Sequence, residues 1–389
     1  MKNDLSTSPR VERQPPAPGY RIVHVDTALD FRGGQQQLLQ LARGLGWRGH
    51  QQLIVCPERS LLAERAREAG CSVAELPAYD PGHVRGALQL RRRLRAEPAD
   101  LLHAHDGQGQ TISALATTGL PVRRAASRLV MFQPKWFAGG GFLQGLKYEH
   151  TCHGVIAVCE YVKQLLVRTG VSASRIEVIP VGIDWPENPP GPELRARMRA
   201  QWGLREDDFV VGHLGAFTLE KGQDIAVEAA ILLAPKLPGL EMLLAGEVSA
   251  QAQSRLAPRL RAAAGHARVL EFLENPSEFL SALDLFIMPS RAEGLPASVL
   301  LAMASGLGVV ASKVGGLPEI VTHGKTGWLV PPDSPEALAA GILEAASDRA
   351  RLREFGASGR ARARQFSIEQ MIARTEAFYA RLVGRQQQE

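Results

Sequence analysis

The chain has 389 residues, 45% hydrophobic and 22% charged, with a formal net charge of +5. At roughly 150 residues per domain that length predicts about two domains, and the composition excludes a disordered or fibrous chain. Four cysteines, Cys56, Cys71, Cys152 and Cys159, form no Cys-x-x-Cys pair, which excludes a disulfide framework and fits free thiols in a reducing compartment.

Residues 1–18 carry proline and charge but no apolar signal-like core, and no later run reaches the length of a membrane span. The expectations are a disordered tail over 1–18 and a cytoplasmic protein, at the inner face of the plasma membrane if it touches that surface. From Arg21, β-rich runs alternate with helical patterns: RIVHVDT, QQLIVCP, SVAELP, DLLHAH, PVRRAASRLV, HGVIAVC and RIEVIP. Such alternation predicts βαβ units and a parallel sheet. VGIDWPENPPGPE, rich in proline, is the predicted linker, and a second series follows: FVVGHLGAF, GLEMLLAGE, RVLEFL, DLFIMPS, GVVASK and TGWLVPP. A closing amphipathic helix begins at Ser367, with Gln370 placed for a capping box. The prediction is α/β: two doubly wound parallel-sheet domains, 19–185 and 186–366, with a closing helix in 367–389. Ligands of such sheets lie outside the carboxyl ends of the strands, so two facing sheets put the substrate in a central cleft.

Strand ends and the loops after them therefore hold the candidates. In DFRGGQQQ, Gly33 and Gly34 precede a helix, where backbone can approach an anion; a plain turn is the other reading. DLLHAHDGQG puts His103 and His105 on one side of a strand. A metal would need more ligands, and Cys152 with His153 is the only further cluster the sequence offers. GHLGAFTLEKGQD places Gly215 after a strand and Lys221 at the entry to a helix, a phosphate partner or a surface lysine. EGLPASVLLAMASG puts Glu293 in a loop, Gly294 where its residue type permits unusual dihedrals, Pro296 in a first helical turn and Gly306 at the helix stop. A carboxylate there can cap the helix or accept sugar hydroxyls.

Arginines cluster at Arg91, Arg92, Arg93, Arg95, Arg123, Arg124 and Arg128, a patch for an anionic surface or simply a solvated face. Aromatics are sparse and no nucleic-acid motif occurs, so nucleic acid is not an expected partner. The stretch RLVMFQPKWFAGGGFLQGLKYEH, with Lys135 and Trp136, suits a loop touching a membrane surface; core burial of its aromatics is the alternative.

Together the GG near the N-terminus, HAHD, VIAVCEYVKQLL with IPVGID, EKGQD, and PSRAEGLPASVLLAMASGLGVVASKVGGLPEIV with TGWLV resemble the retaining family 4 glycosyltransferases of GT-B fold. The resemblance runs from about Gly33 to Val383, is strongest between Gly212 and Asp333, and implies that 367–389 returns to the first domain and that Lys135 and Trp136 lie in an acceptor loop. It implies transfer of a sugar from a nucleoside diphosphate sugar, UDP- or GDP-linked, to a glycan or lipid-linked acceptor, in polysaccharide or lipopolysaccharide biosynthesis. It also implies that Gly33, Gly34 and Gly215 approach the donor, that His105 lies near the transferred sugar and that Lys221 neutralises the departing diphosphate. Glu293 would bind sugar hydroxyls, Gly294, Leu295 and Pro296 would line the sugar pocket, and Leu273 and Glu274 would lie near the base. No Asp-x-Asp occurs, so no metal or other cofactor is expected. Two positions depart from the family: Ala216 replaces the usual arginine, and Leu301 the glutamate expected on the ribose. They motivate two alternatives, a non-catalytic nucleotide-sugar-binding partner subunit and a nucleotide-sugar epimerase on the same fold.

Overall fold

A computed structural model of the chain describes residues 19–77, 80–129, 140–270 and 275–384. The chain divides into two compact units, 1–123 and 124–389.

The first unit runs β1 (Arg21–Val25), α1 (Gly33–Trp47), β2 (Gln51–Pro57), α2 (Leu61–Glu68), β3 (Ser72–Leu76), α3 (Val84–Ala96), β4 (Leu101–Ala104) and α4 (Gly107–Thr117). The second opens with β5 (Arg123–Arg128), α5 (Gly140–Thr151), β6 (Gly154–Ala157), α6 (Glu160–Arg168), β7 (Ile176–Val178) and α7 (Pro192–Gln201). It continues through β8 (Phe209–Leu214), α8 (Gln223–Leu233), β9 (Leu240–Ala245), α9 (Ala250–Ala262), β10 (Ala267–Leu270), α10 (Pro276–Ala282), β11 (Leu285–Met288) and α11 (Ala297–Ala304). The remainder is β12 (Gly308–Ser312), α12 (Leu317–Ile320), β13 (Gly327–Val330), α13 (Pro335–Ser347), α14 (Arg349–Ala363) and α15 (Ile368–Gly384).

Two parallel sheets result, of seven strands in the order β3-β2-β1-β4-β5-β6-β7 and of six in the order β10-β9-β8-β11-β12-β13. The period of two along β2 shows why helices cover both faces. Leu53 and Val55 pack with α3 and α4 through Leu90, Leu94, Ile112 and Ala116, whereas Ile54 and Cys56 pack with α1 and α2 through Leu38, Ala42, Leu62 and Ala66. A strand buried on both faces is apolar throughout. Each Leu, Ile or Val side chain so buried contributes about 1.5–3 kcal/mol. The second sheet is built likewise, Val211, Met242 and Ile287 packing with Ile225, Ala229 and Leu338.

After the predicted linker the chain returns: Ile183 N–H donates to Phe366 O at 2.9 Å, and Ile368 N–H to Ile183 O at 3.1 Å. Ser367 Oγ accepts from Gln370 N–H at 3.3 Å, and α15 lies so close to β6 that a Cβ on Gly154 would meet Phe378 Cζ at 2.6 Å. Part of the arginine cluster serves the fold: Arg91 donates to the α4 carbonyl of Ala116 and to Thr118 O, and Arg124 Nε to Thr151 O. All four cysteines are free. Among the described residues no helix is long and apolar enough to cross a membrane.

Candidate functional site

In each sheet the strand order reverses once, between β1 and β4 in the first and between β8 and β11 in the second. Loops leaving such a pair in opposite directions open a crevice at the carboxyl ends. The candidate residues occupy these two places.

In the first unit the parallel register sets His24 of β1 beside His103 of β4. His105, one residue past the strand, turns back so that its Nε2 lies 3.0 Å from His24 Nδ1, while His24 Nε2 lies 2.8 Å from Gln52 Oε1 on β2. The His103 and His105 rings pack at 4.1 Å between centroids. Burial pushes the His24 imidazolium down to about 4, against the raising effect of the Gln52 bond. Burial, and then the neighbouring imidazoles, hold His103 and His105 well below the ordinary histidine range, so all three are neutral at pH 7. Their nitrogens lie within 4.8 Å of one another, the one grouping with metal-ligand chemistry among the described residues. A hydrogen bond and ring packing already account for that closeness. The sequence reading sought further ligands at Cys152 and His153. The third imidazole is instead His24, and His153 Nδ1 accepts from Arg124 N–H at 2.9 Å.

Asp106, which ends the HAHD run, caps α4 by accepting from Gly109 N–H at 2.6 Å, and its other oxygen accepts from Thr27 Oγ1 at 2.9 Å. Asp26, buried in the loop after β1, accepts from Ala28 N–H at 3.0 Å and from Gln35 Nε2 at 3.1 Å. Burial, then the charge of Asp106, raises its pKa to about 6. These bonds fix the loop that delivers Gly33 and Gly34, which form the first turn of α1 rather than preceding it. Nothing lies within 4 Å of where a Gly33 Cβ would stand.

In the second unit Lys221 does not enter the helix directly; it closes a 3-10 turn, Leu219–Lys221, and Gly222 stands between it and α8. Gly222 has φ 71°, and a Cβ there would lie 2.1 Å from Pro289 O. Only glycine fits both conditions. This close approach lays the turn against the loop after β11, where Lys221 Nζ pairs with Glu293 Oε1 and Ser290 Oγ donates to the same oxygen at 3.3 Å. Glu293 is 9% exposed.

Arg291 locks the two loops together. Its guanidinium takes Asp224 bidentately at 2.9 and 3.0 Å, Asp333 at 2.8 Å and Leu219 O at 2.8 Å, and its backbone N–H donates to Glu220 O at 2.7 Å. Burial pushes the Asp224 carboxyl up, but Arg291 and the amides of the α8 start outweigh it and hold it below the usual range. Gly215 lies under the turn, its carbonyl and that of Ala216 accepting from the buried Gln223 amide.

Gly294 does not adopt a positive φ, so the unusual dihedrals it permits are not used. Its glycine is needed because a Cβ would lie 2.2 Å from Leu129 O. Gly316 packs on it in turn, donating from N–H to Gly294 O at 3.0 Å, and Glu319 of α12 accepts from the first N–H groups of α6, Glu160 and Tyr161. Leu295 is buried. Pro296 is the residue before α11, not within its first turn, and Leu301 is half-buried on that helix. Leu273, Glu274, Lys135 and Trp136 lie outside the described residues.

The sequence reading missed His24, Gln52, Asp26, Arg291, Asp224 and Asp333. A signal existed for two of them: His24 sits at the carboxyl end of the first strand and Arg291 two residues before Glu293, both in places where ligands bind.

The Glycosyltransferase Family 4 profile matches residues 31–185, and the Glycosyl transferases group 1 profile residues 195–362. The alpha-maltose-1-phosphate synthase of Mycolicibacterium smegmatis is 32% identical over 315 residues, 74% of this chain and 80% of that protein. The lipopolysaccharide core biosynthesis mannosyltransferase LpsB of Rhizobium meliloti is 34% identical over 214 residues, 53% of this chain and 61% of that protein. Among solved structures, Anabaena HepE in complex with UDP-glucose superposes with a TM-score of 0.84 at 21% identity, covering 92% of this chain and 98% of that one.

Proposed function

The chain belongs to the family 4 glycosyltransferases, a transferase enzyme of GT-B fold, and we propose that it moves a sugar, with retention, from a nucleoside diphosphate sugar to a glycan or lipid-linked acceptor of a cell-surface polysaccharide or lipopolysaccharide. The observation that carries this is the meeting of Lys221 and Glu293 at the β8/β11 reversal. A lysine ammonium there can neutralise a departing diphosphate, and a neighbouring carboxylate can accept from sugar hydroxyls. The relative named for lipopolysaccharide core synthesis and the HepE complex with UDP-glucose support the same reading.

No metal takes part in the proposed chemistry. The test is a thermal-shift screen of UDP-, GDP- and ADP-sugars followed by a transfer assay with and without EDTA. A donor that binds the folded state at a hundred times its Kd adds about 2.7 kcal/mol. One donor class is expected to raise the melting temperature and to be turned over equally in EDTA; loss of turnover in EDTA overturns the metal-free part.

A second reading, a binding partner without turnover, is motivated by Leu301 and Ala216, since leucine cannot accept ribose hydroxyls. Charged hydrogen bonds contribute about 1.5–3 kcal/mol, so Leu301→Glu is expected to tighten donor Kd roughly tenfold by calorimetry. Unchanged Kd would remove the missing-contact account. Donor binding with no detectable transfer or hydrolysis in the unaltered chain would favour the partner reading.

A further inference from the structure

We propose that Gln52 and His24 form a hydrogen-bonded relay that sets the tautomer of His105 and leaves its Nδ1 as the free, proton-accepting nitrogen. The chain of assignment starts from an amide oxygen. Gln52 Oε1 lies 2.8 Å from His24 Nε2 and can only accept, so His24 carries its proton on Nε2. A neutral His24 then has a bare Nδ1, and the atom 3.0 Å away, His105 Nε2, must be the donor. A neutral His105 with its proton on Nε2 has a lone pair on Nδ1. The proton on one imidazole nitrogen is set by the bond the other makes, here passed through two rings.

The surroundings make the assignment rigid. His24 and His103 are fully buried, burial keeps all three rings neutral, and His103 packs against the His105 ring. Gln52 is held on β2 opposite Ile22 of β1, and its Nε2 is buried without a partner among the described residues. Turning the amide over would reverse every proton in the relay.

The consequence rests on the proposed function and on the placement of His105 near the transferred sugar that the family resemblance implies. With Nε2 bound to His24, the ring accepts a hydrogen bond from a sugar hydroxyl at Nδ1 and, staying neutral, offers that sugar neither an N–H nor a positive charge. His24 and Gln52 are then positioning residues, acting on the donor through His105.

The test uses the full chain with 15N-labelled histidine. A long-range 1H–15N spectrum at neutral pH, with His105 assigned through His105→Gln, is expected to show the Nε2-protonated tautomer; an Nδ1-protonated His105 overturns the relay. Gln52→Leu removes the terminal acceptor, and loss of such an outer partner is expected to lower kcat about tenfold with donor KM within about twofold. Gln52→Glu, which keeps an acceptor oxygen and lacks the unpaired N–H, is expected to restore kcat. Full kcat in Gln52→Leu overturns the proposal where His105→Ala has lost transfer. If His105→Ala keeps transfer, the functional reading of His105 fails, and the spectrum alone decides the relay.

Discussion

Glu293→Gln is expected to lower kcat/KM by two to three orders of magnitude while leaving the melting temperature within a few degrees. The amide keeps the shape of the carboxylate and an oxygen for Lys221 and Ser290 to donate to, so the folded loop survives. It loses the charge that strengthens each bond to a sugar hydroxyl. Two such bonds at about 1.5–3 kcal/mol each, partly retained by the neutral oxygen, leave a deficit of roughly 3–4 kcal/mol, which corresponds to about 10²–10³ in rate.

Lys221→Ala is expected to produce a loss of similar size by a different route, because a preorganised cation at a leaving group acts mainly on the transition state. It should lower kcat more than it raises donor KM. The pair gives a sharper test than either variant alone. Lys221 and Glu293 bind one another in the free protein, so their effects on stability should couple in a double-mutant cycle. Their effects on transfer, exerted on different parts of the donor, should add. Near-normal transfer by both single variants would remove both assignments, and so would coupling in the rate with none in the stability.

Strands such as β2, β9, β11 and β12 were legible because they are apolar and buried along most of their length, whereas β5, with three arginines, was carried only by its place in the alternation. The two loops after β8 and β11 were legible through their glycines and their place after a strand. What lay beyond reading was the pairing of residues far apart in the chain. Glu293 meets Lys221 across 72 positions and Arg291 meets Asp224 across 67, and neither follows from local spacing. His24 reaches His105 only because β1 and β4 pair in one register; a slip of one residue would send the imidazole to the other face. Gly294 shows the same limit in backbone form. The sequence shows only that a glycine permits unusual dihedrals there, whereas a carbonyl 2.2 Å from the missing Cβ, with no positive φ, is what requires it.

The buried histidines make a strong prediction about acid. His24 titrates at about 4 and His213, on β8, at about 3, in both cases mainly because burial disfavours the cation, with Lys221 adding to the effect at His213. An unfolded histidine titrates near 6.5. Between the two values the unfolded chain binds protons that the folded chain refuses, so stability falls as pH drops below about 6.5. Full expression of these shifts amounts to about 3 kcal/mol for His24 and about 5 for His213, and His103 and His105 act in the same direction. Asp26 opposes them: its folded pKa of about 6 means that the folded state takes up a proton first, recovering about 3 kcal/mol as pH falls toward 4.

The histidines outweigh that single carboxyl, and a domain holds only about 5–15 kcal/mol in all. The protein is therefore expected to lose cooperative structure near pH 4.5–5, as measured by circular dichroism and by hydrogen exchange in each unit. His213→Leu isolates one term. Neither ring nitrogen of His213 has a protein partner among the described residues, so the substitution removes buried polar atoms as well as a proton site. It is expected to move the acid midpoint down by roughly half a pH unit and to leave the melting temperature at pH 7.5 equal or higher. An unchanged acid midpoint in a variant that folds normally would show that the imidazole is hydrated or partnered in solution and is not the source of the acid sensitivity.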